Sequence, residues 1–345
     1  MQKELRLATS DPDHKNVQPD YITAVIRESR ALDFKVVLPA QKRRNPFSPV
    51  LVSVVKNEIR QLPGFLEHYR ARGIQEFFIL DNGSSDGTVD LLESQDDVQV
   101  VTLDRPFHWR FKQGWIHYVI QQIGLHRWFL VVDADERAVY TGEKQRDFAD
   151  LAAAMEAQNQ TRVRGVLVDL YAPGQLLKPR GPMRLFDGDG YTQLTRRRMV
   201  SVRGGPRRRR LSQGEFDLNP ELSKYPLFRL EPDEVMANPH HLWPFAKNLS
   251  APCHLGILHH NFSAGLEEKI ERAIEQGNYW NQSIEYRAYQ AVLSADPQLS
   301  LEYEGSREYG SPEDLVELGL IEPVSWRSAR MRRMWLQWRG NFSKS

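Results

Sequence analysis

The sequence predicts an α/β fold built on a mostly parallel central sheet with helices on both faces. Three observations carry that reading. Between residues 50 and 132, apolar β-branched runs alternate with stretches of helical spacing. The apolar runs are continuous, as in strands buried on both faces. Each run then ends on polar or acidic residues, and sheets of this kind bind ligands beyond the carboxyl ends of their strands.

The elements follow in order. "VLVSVV" (50–55) reads as a buried strand, and the helical spacing of "EIRQLPGFLEHYRARG" ends on Gly73, a C-cap residue. "EFFIL" is a second strand and "DNGSSDGT" a turn, with Ser85 or Asp86 capping the next helix. "VQVVTL" is a third strand. "FKQGWIHYVIQQIGLHR" places Ile116, Val119, Ile120 and Ile123 on one helical side, and "WFLVV" is the fourth strand. The second half is less regular. "VRGVLVDLYA" is a further strand, and residues 172–230, rich in Gly, Pro and Arg, read as long loops over the sheet edge. "LGILHHNF" is a short strand ending in two histidines, and residues 264–293 are mostly helical.

These signals divide the chain into a tail and linker (1–45), one catalytic-sized domain (46–325) and a basic amphipathic C-terminal helix or tail (326–345). Within the domain, 50–140 is the regular half and 160–300 the less regular one. The chain has 345 residues, 41% hydrophobic and 26% charged, which is ordinary globular composition. A formal net charge of +1 excludes bulk polyanion binding, and nucleic acid is not an expected partner. The single cysteine, Cys253, excludes a disulfide framework and a cysteine zinc site. The first residues lack the apolar segment of a signal peptide, and no run approaches the roughly 18 apolar residues of a membrane span. The expectation is a cytoplasmic protein. In "SWRSARMRRMWLQWRG", Met331, Met334, Trp335 and Trp338 share one helical side among arginines. Such a helix either lies on the inner face of a membrane or packs on the protein's own core.

The polar strand ends carry the chemistry. They are Lys56-Asn57-Glu58, Asp81-Asn82, Asp104 and Asp133-Ala134-Asp135-Glu136. Two aspartates one residue apart can face a divalent ion together, and Mg²⁺ or Mn²⁺ suits such oxygens and is commonly shared with substrate phosphates. A single acidic turn after a strand is more often a cap. Its place as the fourth polar strand end favours a site. No G-x-G-x-x-G or G-x-x-x-x-G-K-[ST] stretch is present, so a phosphate-cradling glycine loop is excluded.

Together "VSVVKNE", "FILDNGSSDGT" and "FLVVDADE" resemble the family 2 glycosyltransferases, over roughly residues 50–325, with "GPRRRR", "LSKYPLFR", "LHHNF" and "EYRAY" extending the likeness. The resemblance implies a Rossmann-like GT-A fold and a metal-dependent transfer of sugar from a nucleotide-sugar, UDP- or GDP-linked, to a glycan or lipid-linked acceptor. It implies that the half over 50–140 binds the nucleotide and the half over 160–300 the acceptor. It implies Asp133, Asp135 and His259 as metal ligands, His259 being favoured over His260. It implies Lys56, Asn57, Glu58, Asp81, Asn82 and Asp133 around the nucleotide, and Arg207 and Arg209 near phosphate or acidic sugar oxygens. Envelope or polysaccharide glycan synthesis is the setting it suggests. No second carboxylate is placed as a nucleophile, so single displacement with inversion is expected, which needs a general base. Asp169, Asp187, Asp189, Glu215 and Asp217 all lie in the right interval, with Asp217 or Glu215 in "QGEFDLNP" favoured. Lys112 and Gln113 could face phosphate or simply open a surface helix. A nucleotidyltransferase, a phosphatase-like hydrolase using the same acidic motif, and a decayed glycan- or membrane-binding protein remain as alternatives.

Overall fold

The computed structural model describes residues 20–36, 47–105, 107, 109–196, 199–212, 214–277 and 280–326. Strands β1 (Val50–Val55), β2 (Phe77–Asp81), β3 (Val98–Thr102), β4 (Phe129–Val131), β5 (Glu136–Val139), β6 (Arg162–Asp169), β7 (Ser223–Phe228) and β8 (Cys253–His259) form one 8-stranded sheet. Their order is β3-β2-β1-β4-β7-β6-β8-β5. β3, β2, β1 and β4 run parallel, as do β6 and β8. β7 lies antiparallel between β4 and β6, and β5 lies antiparallel to β8. Because β7 reverses direction once, β6 and β8 point the same way as β1 to β4. The carboxyl ends of β1, β2, β4, β6 and β8 therefore share one edge of the sheet with the amino ends of β5 and β7.

Helices α1 (Asp20–Arg30), α2 (Leu62–Ala71), α3 (Thr88–Glu93), α4 (Trp109–Ile123) and α5 (Phe148–Ala157) flank this sheet, and alternation along β1 and β2 assigns its faces. Leu51, Val55, Phe77 and Ile79 pack with Leu62, Phe65, Leu66 and Tyr69 of α2 and Leu151 and Met155 of α5. Val50, Val52, Phe78 and Leu80 pack with Trp115, Ile116, Val119 and Ile120 of α4. Both faces are covered, which is why the strands read as unbroken apolar runs. α2 stops at Gly73, as its sequence predicts. The glycine adopts φ +83°, and a Cβ there would sit 2.7 Å from Asp147 Cβ. Asp86 accepts the Thr88 amide at 3.0 Å ahead of α3.

The second half departs from the sequence expectation. Residues 172–230 are not only loops: they contain β7, an interior strand of the sheet, and α6 (Gly205–Arg210), which is the "GPRRRR" run. β7 was hidden because its residues, "SKYPLF", include a lysine and a proline, and pair only with strands distant in sequence. Two helices, α7 (Leu266–Gln276) and α8 (Trp280–Ala295), and a short α9 (Pro312–Glu317) follow among the described residues. α8 opens on left-handed Asn281, Gln282 and Ser283, and Ser283 Oγ donates to Ala273 O at 2.6 Å.

Within the stretch expected as tail and linker, α1 is ordered. Its Ile22 and Val25 are buried against Val235, Ala237 and Phe245, and Glu28 accepts from Trp115 Nε1 at 3.1 Å. Residues 1–19 and 37–46 lie outside the described residues, as does 327–345, which holds nearly all of the amphipathic basic segment. Trp326 packs beside Tyr140, with Arg146 over its ring. Among the described residues, no helix is long and apolar enough to cross a membrane.

Buried imidazoles give the fold a pH dependence. His68 Nε2–H donates to Ala138 O at 2.9 Å, joining α2 to β5. Burial, with Arg72 adding, pulls its pKa down to about 3, and burial does the same to His240. Unfolded, each would bind a proton below about 6.5. Their contribution is thus complete above that pH and is lost as pH falls towards 3. The urea midpoint should fall between pH 7 and pH 5, and His68→Gln should flatten that slope. An identical slope in the variant would remove His68 from the explanation.

Candidate functional site

The shared sheet edge gathers charge. β4 ends at Val131, the chain turns through 132–135, and β5 returns from Glu136. Glu136 closes this turn: its Oε2 accepts the Asp133 amide at 2.9 Å, and its own amide donates to Asp133 O at 3.0 Å. Lys224, at the start of β7, lies 2.5 Å from Glu136 Oε2 and 3.8 Å from Asp133 Oδ2. Lys112, at the start of α4, reaches Asp133 Oδ1 at 2.5 Å. The bland expectation of a surface helix start thus fails for Lys112. Burial opposes ionisation of Asp133, but Lys112 and Lys224 outweigh it and bring its pKa to about 2. Lys224 is likewise held charged against burial by Glu136 and Asp133.

Asp135 opens a ring of polar contacts. Its Oδ2 lies 3.6 Å from His259 Nε2 and 3.2 Å from Lys269 Nζ. His259 Nδ1–H donates to Asp169 Oδ1 at 2.7 Å. Arg207 Nε–H donates to Asp169 Oδ2 at 2.8 Å, and its Nη1–H to Glu285 Oε1 at 3.2 Å. Tyr289 O–H also donates to Glu285 Oε1 and accepts from Asn261 Nδ2, the latter at 3.2 Å. Lys269 Nζ donates to Asn261 Oδ1 at 3.3 Å, which closes the ring. The sheet sets its first half: His259 is registered against Glu136 of β5 and Asp169 of β6. Burial resists charge on His259, yet Asp135 and then Asp169 raise its pKa to about 10. His260 donates its amide to Asp135 O at 2.8 Å, while burial keeps its ring neutral, near 4.

The ends of β1 and β2 interlock. The Asn57 amide donates to Ser84 Oγ and the Ser85 amide to Asn57 Oδ1, both at 2.8 Å. The Glu58 amide donates to Thr88 Oγ1 at 3.0 Å and the Ile59 amide to Asp86 Oδ2 at 3.2 Å. Asp81 Oδ2 accepts the Gly83 and Ser84 amides, both at 3.0 Å. Asp81 Oδ1 and Asn82 Oδ1 are buried without a partner, and so are both amide atoms of Gln113. Unpaired buried acceptors are costly, which marks this place as one a donor-bearing ligand could complete. Burial and then the neighbouring Asp135 raise the Glu58 carboxyl to about 7, so this strand end lies within the field of the acidic turn. Lys56 is exposed.

Other expected residues sit elsewhere. Arg207 is buried rather than on a solvated loop, and the Asp169 and Glu285 carboxylates hold it. Arg209 forks onto Asp187, both bonds at 2.8 Å, with its guanidinium 3.8 Å above the Tyr303 ring. Asp187 is buried there with Tyr171, and Asp189 accepts from Tyr303. Glu215 and Asp217 are exposed, and Glu215 lines a shallow depression of about 310 Å³ with Gly214, Phe216, Ala291 and Val292. The sequence reading missed Lys224, Lys269, Asn261 and Glu285 as site residues. "LSKYPLFR", "LHHNF" and "EYRAY" carried a signal for Lys224, Asn261 and Glu285.

No protein-family model and no curated protein matches the chain. Among the solved structures with a loose fold likeness to the chain are two nucleotide-sugar enzymes. One is a mannosyltransferase, PcManGT from Pyrobaculum calidifontis, in complex with GDP-Man and Mn²⁺. It is 15% identical, with a TM-score of 0.26 over 49% of this chain and 46% of that one. The chain thus spans less than half the length of that neighbour. The other is a putative glucose-1-phosphate thymidylyltransferase from Bacillus anthracis in complex with a sucrose. It is 8% identical, with a TM-score of 0.28 over 82% of this chain and 98% of that one. At such scores the likeness carries no functional weight, and the reading below rests on the site's own residues.

The buried Lys224–Glu136 pair gives a direct test of this edge. Lys224→Met leaves Glu136 and Asp133 without their buried cation, which should cost about 3–5 kcal/mol. Urea unfolding at pH 7 reads it. A loss below about 1 kcal/mol would show that the pair behaves as a surface contact.

Proposed function

We propose that the protein is a metal-dependent, inverting glycosyltransferase that moves a sugar from a UDP- or GDP-linked donor to a glycan or lipid-linked acceptor. The observation that carries this reading is the carboxylate and imidazole pair of Asp135 and His259, 3.6 Å apart at the sheet edge, with His259 fixed from behind by Asp169. With its Nδ1–H given to a carboxylate, His259 would offer Nε2 to a metal that displaces its second proton, the arrangement that metal-ligating histidines use.

The donor set suits a divalent ion. Asp135 and His259 would hold it, while Asp133, the third expected ligand, faces Lys112 and Lys224. Among the described residues, no group of three His, Cys, Asp or Glu side chains converges on one point. The remaining coordination would fall to donor phosphate oxygens and water, as is usual for Mg²⁺. When bound, the ion would neutralise charge on the leaving diphosphate.

The chain's own residues account for the rest. Lys112 and Lys224 keep Asp133 ionised, and its side chain, 35% exposed, offers an acceptor to a donor hydroxyl. Lys269, beside Asp135, adds positive charge where phosphate would lie. Asp81 Oδ1 and Asn82 Oδ1 offer acceptors for base N–H groups. β2 and β4 are separated by β1, so these acceptors lie about 10 Å from the acidic turn, two strand spacings away, a distance a nucleoside diphosphate can bridge.

Thermal melting in the presence of UDP-, GDP- and dTDP-sugars, with Mn²⁺, Mg²⁺ or chelator, tests the reading. One nucleotide class should raise the melting point by a few degrees, only with metal. Asp135→Ala should lose that rise while remaining folded. Equal stabilisation in chelator, or none from any donor, would count against the proposal.

A further inference from the structure

We propose that Glu285 and Arg207 form the acceptor subsite of this same centre, with Glu285 as the base that takes the acceptor hydroxyl's proton. The inference rests on the transferase reading above and adds the residue that reading leaves open.

The ring contains three carboxylates in unequal states. Asp169 is 1% exposed, and both of its oxygens are bound, one by His259 and one by Arg207. Asp135 is 12% exposed and shares Oδ2 between His259 and Lys269. Glu285 is 35% exposed, and Arg207 and Tyr289 both converge on its Oε1. Its Oε2 is therefore the ring's available carboxylate oxygen. Beside it lies a donor in need: Arg207 Nη2 is buried with no partner, on the same guanidinium whose Nη1 binds Glu285.

These two atoms define the chemistry of what they take. A hydroxyl donates one hydrogen bond and accepts others. It can donate into Glu285 Oε2 and accept from Arg207 Nη2 at once. An ammonium would meet the Arg207 charge, and a second carboxylate would meet Glu285. The class selected is thus a neutral hydroxyl, such as that of a sugar or polyol. In the transfer, the hydroxyl proton passes to Oε2 while its oxygen forms the new bond to the donor's anomeric carbon. The bond from that carbon to the phosphate oxygen breaks, and its electron pair leaves with the nucleoside diphosphate. Tyr289 and Arg207 position the base through Oε1. Glu215 and Asp217 are exposed and make no contact with the ring among the described residues.

The test uses the full chain with Mn²⁺ and whichever nucleotide-sugar stabilises it, water serving as the acceptor and nucleotide release as the readout. Glu285→Gln should bind that donor within about 3-fold of wild type and release nucleotide about 100-fold more slowly or worse, the usual range for a lost base. Glu285→Asp, which keeps the carboxylate, should recover most of the rate and guards against a folding defect in the amide variant. Release within about 3-fold of wild type in Glu285→Gln overturns the assignment. So does a rate loss that follows Asp217→Asn or Glu215→Gln instead, or equal losses in Glu285→Gln and Glu285→Asp. Failure of the wild type to bind any donor would overturn the transferase reading itself, and the subsite with it.

Discussion

A carboxylate with almost no exposure, at the end of an interior strand, is the constraint around which the second half of the molecule is arranged. Asp169 cannot remain charged there without cations in contact. Arg207 supplies one and His259 the other, each on its own oxygen. That requirement ties three distant pieces of chain: β6 carries the acid, β8 the imidazole and α6 the guanidinium. It also explains why the densest basic run of the sequence folds as a short helix with its second residue, Pro206, and Arg207 turned inward.

The same logic applies one strand over. Glu136 and Lys224 are equally buried, each side chain 4% exposed, and satisfy one another where β5 and β7 begin. Lys112 and Lys269 approach from different helices, α4 and α7, so each aspartate of the acidic turn is balanced by its own lysine. The edge is thus poor in net charge although rich in charged groups. Each cation there has an anionic partner, so any further anion at this edge would have to compete with carboxylate.

Much of the first half was legible in the sequence because its determinants are local. Continuous apolar runs such as Val50–Val55 and Phe77–Asp81 declare strands buried on both faces, and Gly73 declares the end of α2. The acids that follow those runs mark the edge that became the site. What the sequence hid depends on pairing across long separations. β7 carries Lys224 and Pro226 in a stretch that reads as loop, and only its neighbours β4 and β6 make it a strand. Glu285 is an ordinary helix-face acid until Arg207, 78 positions away, is placed beside it. Arg207 itself reads as a solvated charge, because a run of arginines gives no sign of which one the fold will bury. α1 escaped notice for the opposite reason: its apolar side is narrow, and Trp115 and Val235 supply the other half of the contact.

The interlocked ends of β1 and β2 carry a mechanical consequence. Asn57 gives its amide to Ser84 and takes the amide of Ser85 in return, while Glu58 and Ile59 lean on Thr88 and Asp86. Donors and acceptors are exchanged in both directions, so neither loop can open while the other stays closed. The two segments form one cooperative latch, and their amides should exchange with solvent through a single shared opening event rather than by separate fraying. The strand end that carries Asp81 and Asn82 then assembles or dissolves as a whole, and its rigidity is a property of the pair of loops instead of either sequence motif alone.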